Sequence, residues 1–189
     1  MRSTVTMKAL LTNLLLIATN TLALDCAATE LEVGASQPVS EAPSRCATFA
    51  DSGLTWELKT DDGGIHDKDN IYRWGGIGAE KTGKIFFDDW NDLLNATNGE
   101  KLCGFDDWRV PTIDELKTLV TTTGASTTGK SPMIDTSVFP LTLAMPYWSV
   151  STYQHYPEHA QTVDFATGTS NYYTGFRGDR LPLRLVRSE

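Results

Sequence analysis

The chain holds 189 residues, 40% apolar and 10% aromatic, enough for one globular core with short extras at its ends. Twenty-four acidic against 16 basic groups give a net charge of −8, a field that repels nucleic acid and other polyanions at long range. No Gly-x-y tract and no internal repeat is present, and nothing past residue 30 is apolar enough to span a bilayer.

Residues 1–24 read as a secretory signal peptide. Arg2 and Lys8 make a basic start, Ala9 to Ala18 form an apolar run too short for a membrane span, and no acid precedes Asp25. A buried N-terminal helix is the alternative reading. Cleavage is expected after Ala23 or Ala28; Asp25, where a lipoprotein site needs a small residue, argues against a lipid anchor. Such a leader holds two of the 16 basic groups and none of the acids, so its removal leaves a net of about −10. Residues 25–45, polar and interrupted by Pro38 and Pro43, read as a flexible lead-in to a domain over 46–187.

Within that domain Leu54 to Leu58 alternates apolar and polar, which predicts a half-buried strand. Residues 59–70 form an acidic, Gly-containing loop. Ile71 to Trp74 is a short predicted strand ended by Gly75-Gly76. Ile85 to Asn98 is the clearest predicted helix, with Phe86, Trp90, Leu93 and Leu94 on one face, Asp88 and Asp89 at its positive end and Gly99 as its stop. A second helix is predicted from Thr112, where Thr112 and Glu115 match a capping box after Pro111. Residues 121–131 read as polar loop. Strands are expected over Tyr147 to Ser151, Gln161 to Phe165 and Leu181 to Arg187, with a turn at Ala166-Thr167-Gly168. Two main helices and short antiparallel strands place the domain in the α+β class.

Three cysteines in an exported chain imply one disulfide and one leftover. Cys46 and Cys103 both lie inside the domain, whereas Cys26 is discarded if cleavage follows Ala28. Cys46–Cys103 is the favoured pairing and Cys26–Cys46 the runner-up. The favoured bridge closes a loop worth roughly 4 kcal/mol on the chain-entropy model. No neighbouring His is evident to activate a catalytic thiol.

Several short patterns carry a chemical reading beside a plainer one. Asp107, Trp108 and Arg109 read as a structural hub, in which Trp buries area and Arg109 forks onto Asp106 or Asp107 to pin the loop before the second helix; a clamp for a ligand carboxylate or sulfate is the alternative. Asp61, Asp62, Asp67 and Asp69, with Asn70, are candidate calcium ligands, since that cation takes oxygen donors from flexible loops. Their spacing fits no twelve-residue calcium loop, so a solvated acidic loop is the favoured reading, and no cofactor is required. Trp90-Asn91-Asp92 spells a calcium-site triplet of C-type lectins, but it falls mid-helix without partner motifs and reads as coincidence. His155 to His159 matches His-x-x-Glu-His of zinc peptidases, yet Pro157 disrupts the helix which that chemistry needs. Arg177-Gly178-Asp179 is an integrin-type tripeptide that matters only on an exposed loop, and Asn95-Ala96-Thr97 is a glycosylation sequon. Arg177, Arg180, Arg184 and Arg187 are the one local basic cluster. Structural pairing is the default for them and an anion-facing role the alternative.

The order Gly53-Leu54-Thr55-Trp56-Glu57, a helix with Trp90 and Leu94, Cys103-Gly104-Phe105-Asp106-Asp107-Trp108-Arg109-Val110-Pro111-Thr112 with Glu115-Leu116, then Phe139-Pro140, Tyr147-Trp148-Ser149 and Leu183-Arg184-Leu185-Val186-Arg187 resembles the C-terminal domain of the Legionella collagen-like protein. This domain is widespread in exported bacterial proteins, and the resemblance covers roughly residues 46 to 187. The Asp-Trp-Arg-x-Pro block is its most specific part. The resemblance implies a C-type-lectin-like fold, a place in the periplasm, in the medium or on the surface of a bacterium, and a ligand-binding or adhesive role without established catalysis. In the namesake the domain binds sulfated glycosaminoglycans; the acidic balance of this chain argues against that ligand. The chain lacks the collagen-like repeats, so trimerisation through them is not expected.

The expectation is therefore an exported, non-catalytic domain that recognises a surface glycan or protein. Its surface is expected to comprise Tyr153, Tyr156, Tyr172 and Tyr173 with Arg177 and Arg180, because aromatic rings stack on sugar faces and arginines fork onto anions. Two other readings stand beside it: an architectural envelope component that binds no sugar, and an enzyme akin to the formylglycine-generating oxidases of the same fold, which need a free cysteine pair or a copper site.

Overall fold

A computed structural model describes residues 44–122 and 131–189. The expected leader (1–24), Cys26, all but the last two residues of the lead-in (25–45) and most of the polar stretch 121–131 lie outside the described residues. No helix among the described residues is long and apolar enough to cross a membrane.

The described chain is mixed α+β, mostly β. In order it forms β1 (Cys46–Phe49), β2 (Leu54–Glu57), β3 (Ile71–Tyr72), α1 (Asn91–Gly99), α2 (Ile113–Lys117), β4 (Pro146–Thr152), β5 (Ala160–Asp164), β6 (Thr169–Asn171), β7 (Leu181–Pro182) and β8 (Val186–Ser188). Three antiparallel sheets result, ordered β1-β2-β8, β3-β7 and β4-β5-β6. The first joins the two ends of the domain through β2. Its outer side is extended by Arg109, which exchanges both backbone hydrogen bonds with Val186 at 2.9 Å.

All five tryptophans are buried, and the apolar core has two lobes. One gathers Trp74, Trp90, Leu93, Leu94, Trp108 and Trp148; the other gathers Trp56, Leu116, Phe139, Tyr147, Val163 and Phe165. Neighbouring residues in a strand point to opposite faces. Tyr147 and Trp148 of β4 therefore serve different lobes, as do Leu185 and Val186 at the start of β8.

That two-sided burial corrects the half-buried reading of Leu54 to Leu58. All four residues of β2 are buried, including Thr55 and Glu57. The predicted strand over Leu181 to Arg187 divides into β7 and β8, which serve different sheets. The strand expected over Ile71 to Trp74 is β3 alone. β1 and β6 carried no strong pattern of their own and were not anticipated.

Helix α1 starts six residues later than its apolar spacing predicts. The intended first turn is used elsewhere: the Phe87 N–H bonds the Trp74 carbonyl, and the Asp89 carboxylate takes the Arg73 guanidinium and backbone N–H. Trp90 thus precedes the helix instead of lying inside it. The approach is so close that a Cβ on Gly75 would collide with the Phe87 backbone and one on Gly76 with the Trp90 ring. Helix α2 begins as its capping box predicts. Thr112 accepts from the Glu115 N–H, the Glu115 carboxylate accepts from the Thr112 N–H, and Ile113 and Leu116 are buried.

Candidate functional site

Four of the six expected surface residues come together. The β4–β5 turn carries Tyr153 and Tyr156, and the chain after β6 carries Tyr172 and Tyr173. Tyr153 and Tyr172 stack at 3.9 Å with their planes 8° apart, and Tyr156 lies near-parallel to both at 5.9 and 5.6 Å. Tyr173 tilts against Tyr172 at 4.1 Å. Tyr156 is 51% exposed and Tyr173 76%. The four rings make an aromatic ledge open to solvent.

Backbone bonding between the two loops holds the ledge. His159 Nδ1 faces the Tyr172 carbonyl at 2.8 Å, the Ala160 N–H bonds the Gly175 carbonyl at 2.8 Å, and the Arg177 N–H bonds the Glu158 carbonyl at 2.9 Å. A Cβ on Gly175 would strike the Ala160 carbonyl, so a residue with no side chain is required there. His159 also meets Phe176 edge-on at 5.8 Å, and His155 meets Tyr153 at 5.7 Å. The His-x-x-Glu-His pattern is thus a turn rather than a helix, with His159 bracing the ledge. The hydrogen bond with Tyr173, followed by desolvation, pushes the Tyr172 hydroxyl up.

The two arginines expected on this surface are elsewhere. Arg177 is fully buried: its guanidinium lies 4.2 Å over the Trp74 ring and donates to the carbonyls of Thr82, Ile85 and His159. It ties the ledge to the loop before α1 from beneath, and the Arg-Gly-Asp tripeptide presents no free arginine. Arg180 lies 3.6 Å from Asp89, the carboxylate that also binds Arg73. Basic residues in a turn gave no sign of which would be drawn under an aromatic core.

The hub residues are held by other partners than the sequence suggests. Trp108 is buried and donates from Nε1 to the Leu102 carbonyl; its backbone N–H and C=O are both bonded by the Asn98 amide, at 2.8 and 3.0 Å. Arg109 forks onto Glu115 (2.8 and 2.6 Å) rather than Asp106 or Asp107, and holds that carboxyl below the usual range. Asp107 instead takes Arg187 at 2.7 Å, and Asp106 takes Lys101 at 3.3 Å. Cys46 and Cys103 form the disulfide, which ties β1 to the loop after α1.

The acidic loop is internally satisfied. Asp67 accepts backbone N–H groups from Asp62, Gly63 and Asp69, and Asp62 accepts from Thr60 and Gly64. Oxygens of Asp61, Asp67 and Asp69 converge within 4.8 Å. The Lys68 ammonium already bridges Asp61 and Asp69, at 2.7 and 2.9 Å, so a cation of the chain's own stands where a calcium ion would compete.

A polar cluster around Glu57 lies beyond the expected site residues. Its carboxylate receives Lys59 Nζ (2.9 Å) and His66 Nδ1 (2.7 Å) on one oxygen and the Leu185 N–H (2.8 Å) on the other. His66 Nε2 continues to Glu100 at 2.7 Å, and Arg45 joins there at 3.2 Å. Burial alone would raise Glu57, but Lys59, His66 and the Leu185 amide outweigh it and hold the carboxyl at about 2. Arg184 bonds the Glu57 carbonyl (2.6 Å) and the Thr142 hydroxyl (2.9 Å). A glutamate inside an apolar strand, set against basic residues in a terminal apolar strand, was the available signal.

Neither a curated protein nor a solved structure matches the chain significantly. A family model, described as the Lcl C-terminal domain, matches residues 47–187, from the second residue of β1 to the middle of β8. Its span takes in the ledge, the hub and the Glu57 cluster, and on that match the chain belongs to the Lcl C-terminal domain family.

Proposed function

We propose that this chain is an exported, non-catalytic binding domain that recognises a surface glycan through the tyrosine ledge. One observation carries the reading: three near-parallel tyrosine rings, with a fourth beside them, gather on loops braced from beneath by Arg177, with Tyr156 and Tyr173 exposed and Tyr153 and Tyr172 half-buried. Flat aromatic faces pack against the C–H faces of sugar rings while their hydroxyls reach the polar rim. The acidic balance favours a neutral glycan over a sulfated one. Export is supported by the family and by the disulfide, which persists in oxidising compartments. The same disulfide commits both cysteines of the domain, leaving no thiol pair of the kind used by formylglycine-generating oxidases. The two helices and short antiparallel strands support a C-type-lectin-like arrangement as part of this reading.

A protein partner is the second reading, favoured by exposed Phe176 beside His159, which extends the ledge with apolar area suited to a hot spot. A glycan array with the purified chain and its Tyr156→Ala variant separates the two. Glycan recognition requires discrete array hits that the variant loses at least tenfold. An empty array with a protein captured through the ledge supports the second reading. An empty array with no captured partner supports an architectural envelope component instead.

A further inference from the structure

A pocket of about 470 Å³ opens between the chain after β2 and the segment before β4. Its walls are apolar, from Leu58, Val138, Leu141 and the ring of Phe139, with Pro140 at the mouth. Its inner end is cationic: Lys59 and Arg184, both buried, line it together. Arg45 stands at the rim. Asp61, the one carboxylate on the lining, is already paired with Lys68.

Buried cations normally find an anion, because desolvating an unpaired charge is costly. Lys59 has Glu57, but uses one of its three donors on it. Arg184 is in no ion pair among the described residues. Its terminal nitrogens donate to a carbonyl and a hydroxyl, its plane lies 4.8 Å from the Phe139 ring, and its Nε is the only buried side-chain nitrogen or oxygen among the described residues with no partner. Buried polar atoms in native interiors are nearly always hydrogen-bonded, so such an atom calls for a partner. The pocket therefore couples apolar walls to an under-compensated positive end, and its size is that of a small-molecule site.

We propose that this pocket binds a small organic carboxylate with an aliphatic tail, the carboxylate directed to the Lys59 and Arg184 end and the tail along Leu58, Val138 and Leu141. Anionic head and apolar tail are both needed. The head supplies the charge that Arg184 lacks, and the tail covers side chains that otherwise face solvent. The site shares no residue with the tyrosine ledge, so either assignment can fail without the other.

Decanoate is the probe, titrated calorimetrically into the purified full chain, with decanol (tail without charge) and acetate (charge without tail) as controls. One-to-one saturable binding of decanoate is expected, with both controls at least tenfold weaker. Arg184→Gln tests the head directly. Because Arg184 is a core residue, Leu141→Glu on the half-buried wall gives an independent reading: it is expected to keep the native near-ultraviolet circular dichroism and to weaken decanoate at least tenfold. Tyr173→Ala is expected to leave decanoate binding unchanged. Decanol binding as tightly as decanoate, no binding of decanoate, or a Leu141→Glu protein that binds like the parent would each overturn the assignment.

Discussion

The Glu57 cluster and the tyrosine ledge are built on one β-rich frame, and they treat solvent in opposite ways. Around Glu57 both carboxylate oxygens are taken by donors, Lys59 and His66 from the 59–70 loop and the Leu185 N–H ahead of β8, and the carboxylate is fully buried. At the ledge the polar backbone is equally well bonded, yet large aromatic rings are left facing out, Tyr173 most of all. Buried polar groups fix a unique packing when every one is satisfied. Exposed rings contribute little to that packing, and a contiguous patch of them is the mark of a surface kept for a partner. The first region should therefore dominate stability, and under the proposed function the second should dominate binding.

Removing the centre of the first region gives the largest expected effect. Glu57→Ala leaves Lys59 buried without its counter-ion and the Leu185 amide without its acceptor, and is expected to cost about 4 kcal/mol in urea unfolding. A cost below about 1 kcal/mol would mean that the cluster is incidental to the frame. Acid should act through the same group. Its carboxyl titrates at about 2 in the folded chain against an ordinary 4.5, so its contribution is fully present above pH 4.5 and is lost as pH falls toward 2. That contribution is on the order of 3 kcal/mol. Asp107 and Glu115 are also lowered and add to acid lability. The comparison that isolates Glu57 is the parent against Glu57→Gln, measured at pH 5 and at pH 2.5: the gap between them should close in acid.

The hub gives an intermediate effect. Asn98 accepts from the Trp108 N–H and donates to its C=O, so Asn98→Ala orphans two backbone groups beside a buried indole. A loss of about 2 kcal/mol is expected in the same unfolding measurement. A value near zero would shift the pinning of this loop onto Arg109 and Glu115 alone.

How far the sequence revealed all this varies by region, for physical reasons. Local rules carried well where one short segment decides the outcome. The capping box at Thr112 and Glu115 sets the start of α2, and the two cysteines inside the domain form the expected disulfide. They failed where distant segments compete for the same groups. The first turn of the predicted helix lost Phe87 to the Trp74 carbonyl and Asp89 to Arg73, contacts that helical spacing does not encode. The tyrosines could be guessed as a surface from composition and loop placement. Arg177 could not be removed from it, because only the fold shows Trp74 beneath. Adjacent carboxylates made Asp106 and Asp107 the obvious partners for Arg109. The capping glutamate won, because helix α2 presents it in bidentate geometry.

The ledge should show the smallest stability effect, and that smallness is informative. Tyr173 is 76% exposed and touches the frame mainly through its tilted contact with Tyr172, so Tyr173→Ala is expected to change unfolding free energy by less than about 0.5 kcal/mol. Tyr172, stacked at 3.9 Å on Tyr153 and carrying the carbonyl that His159 meets, is the internal control. Tyr172→Ala should cost more, about 1 kcal/mol, through the lost stacking pair. Equal costs at the two positions would place Tyr173 in the frame and erase the division drawn between a stabilising interior and a binding surface. A larger loss at Tyr172 than at Tyr173, with ligand binding weakened in both, would instead show that the two functions meet at a single ring pair and separate within one residue of it.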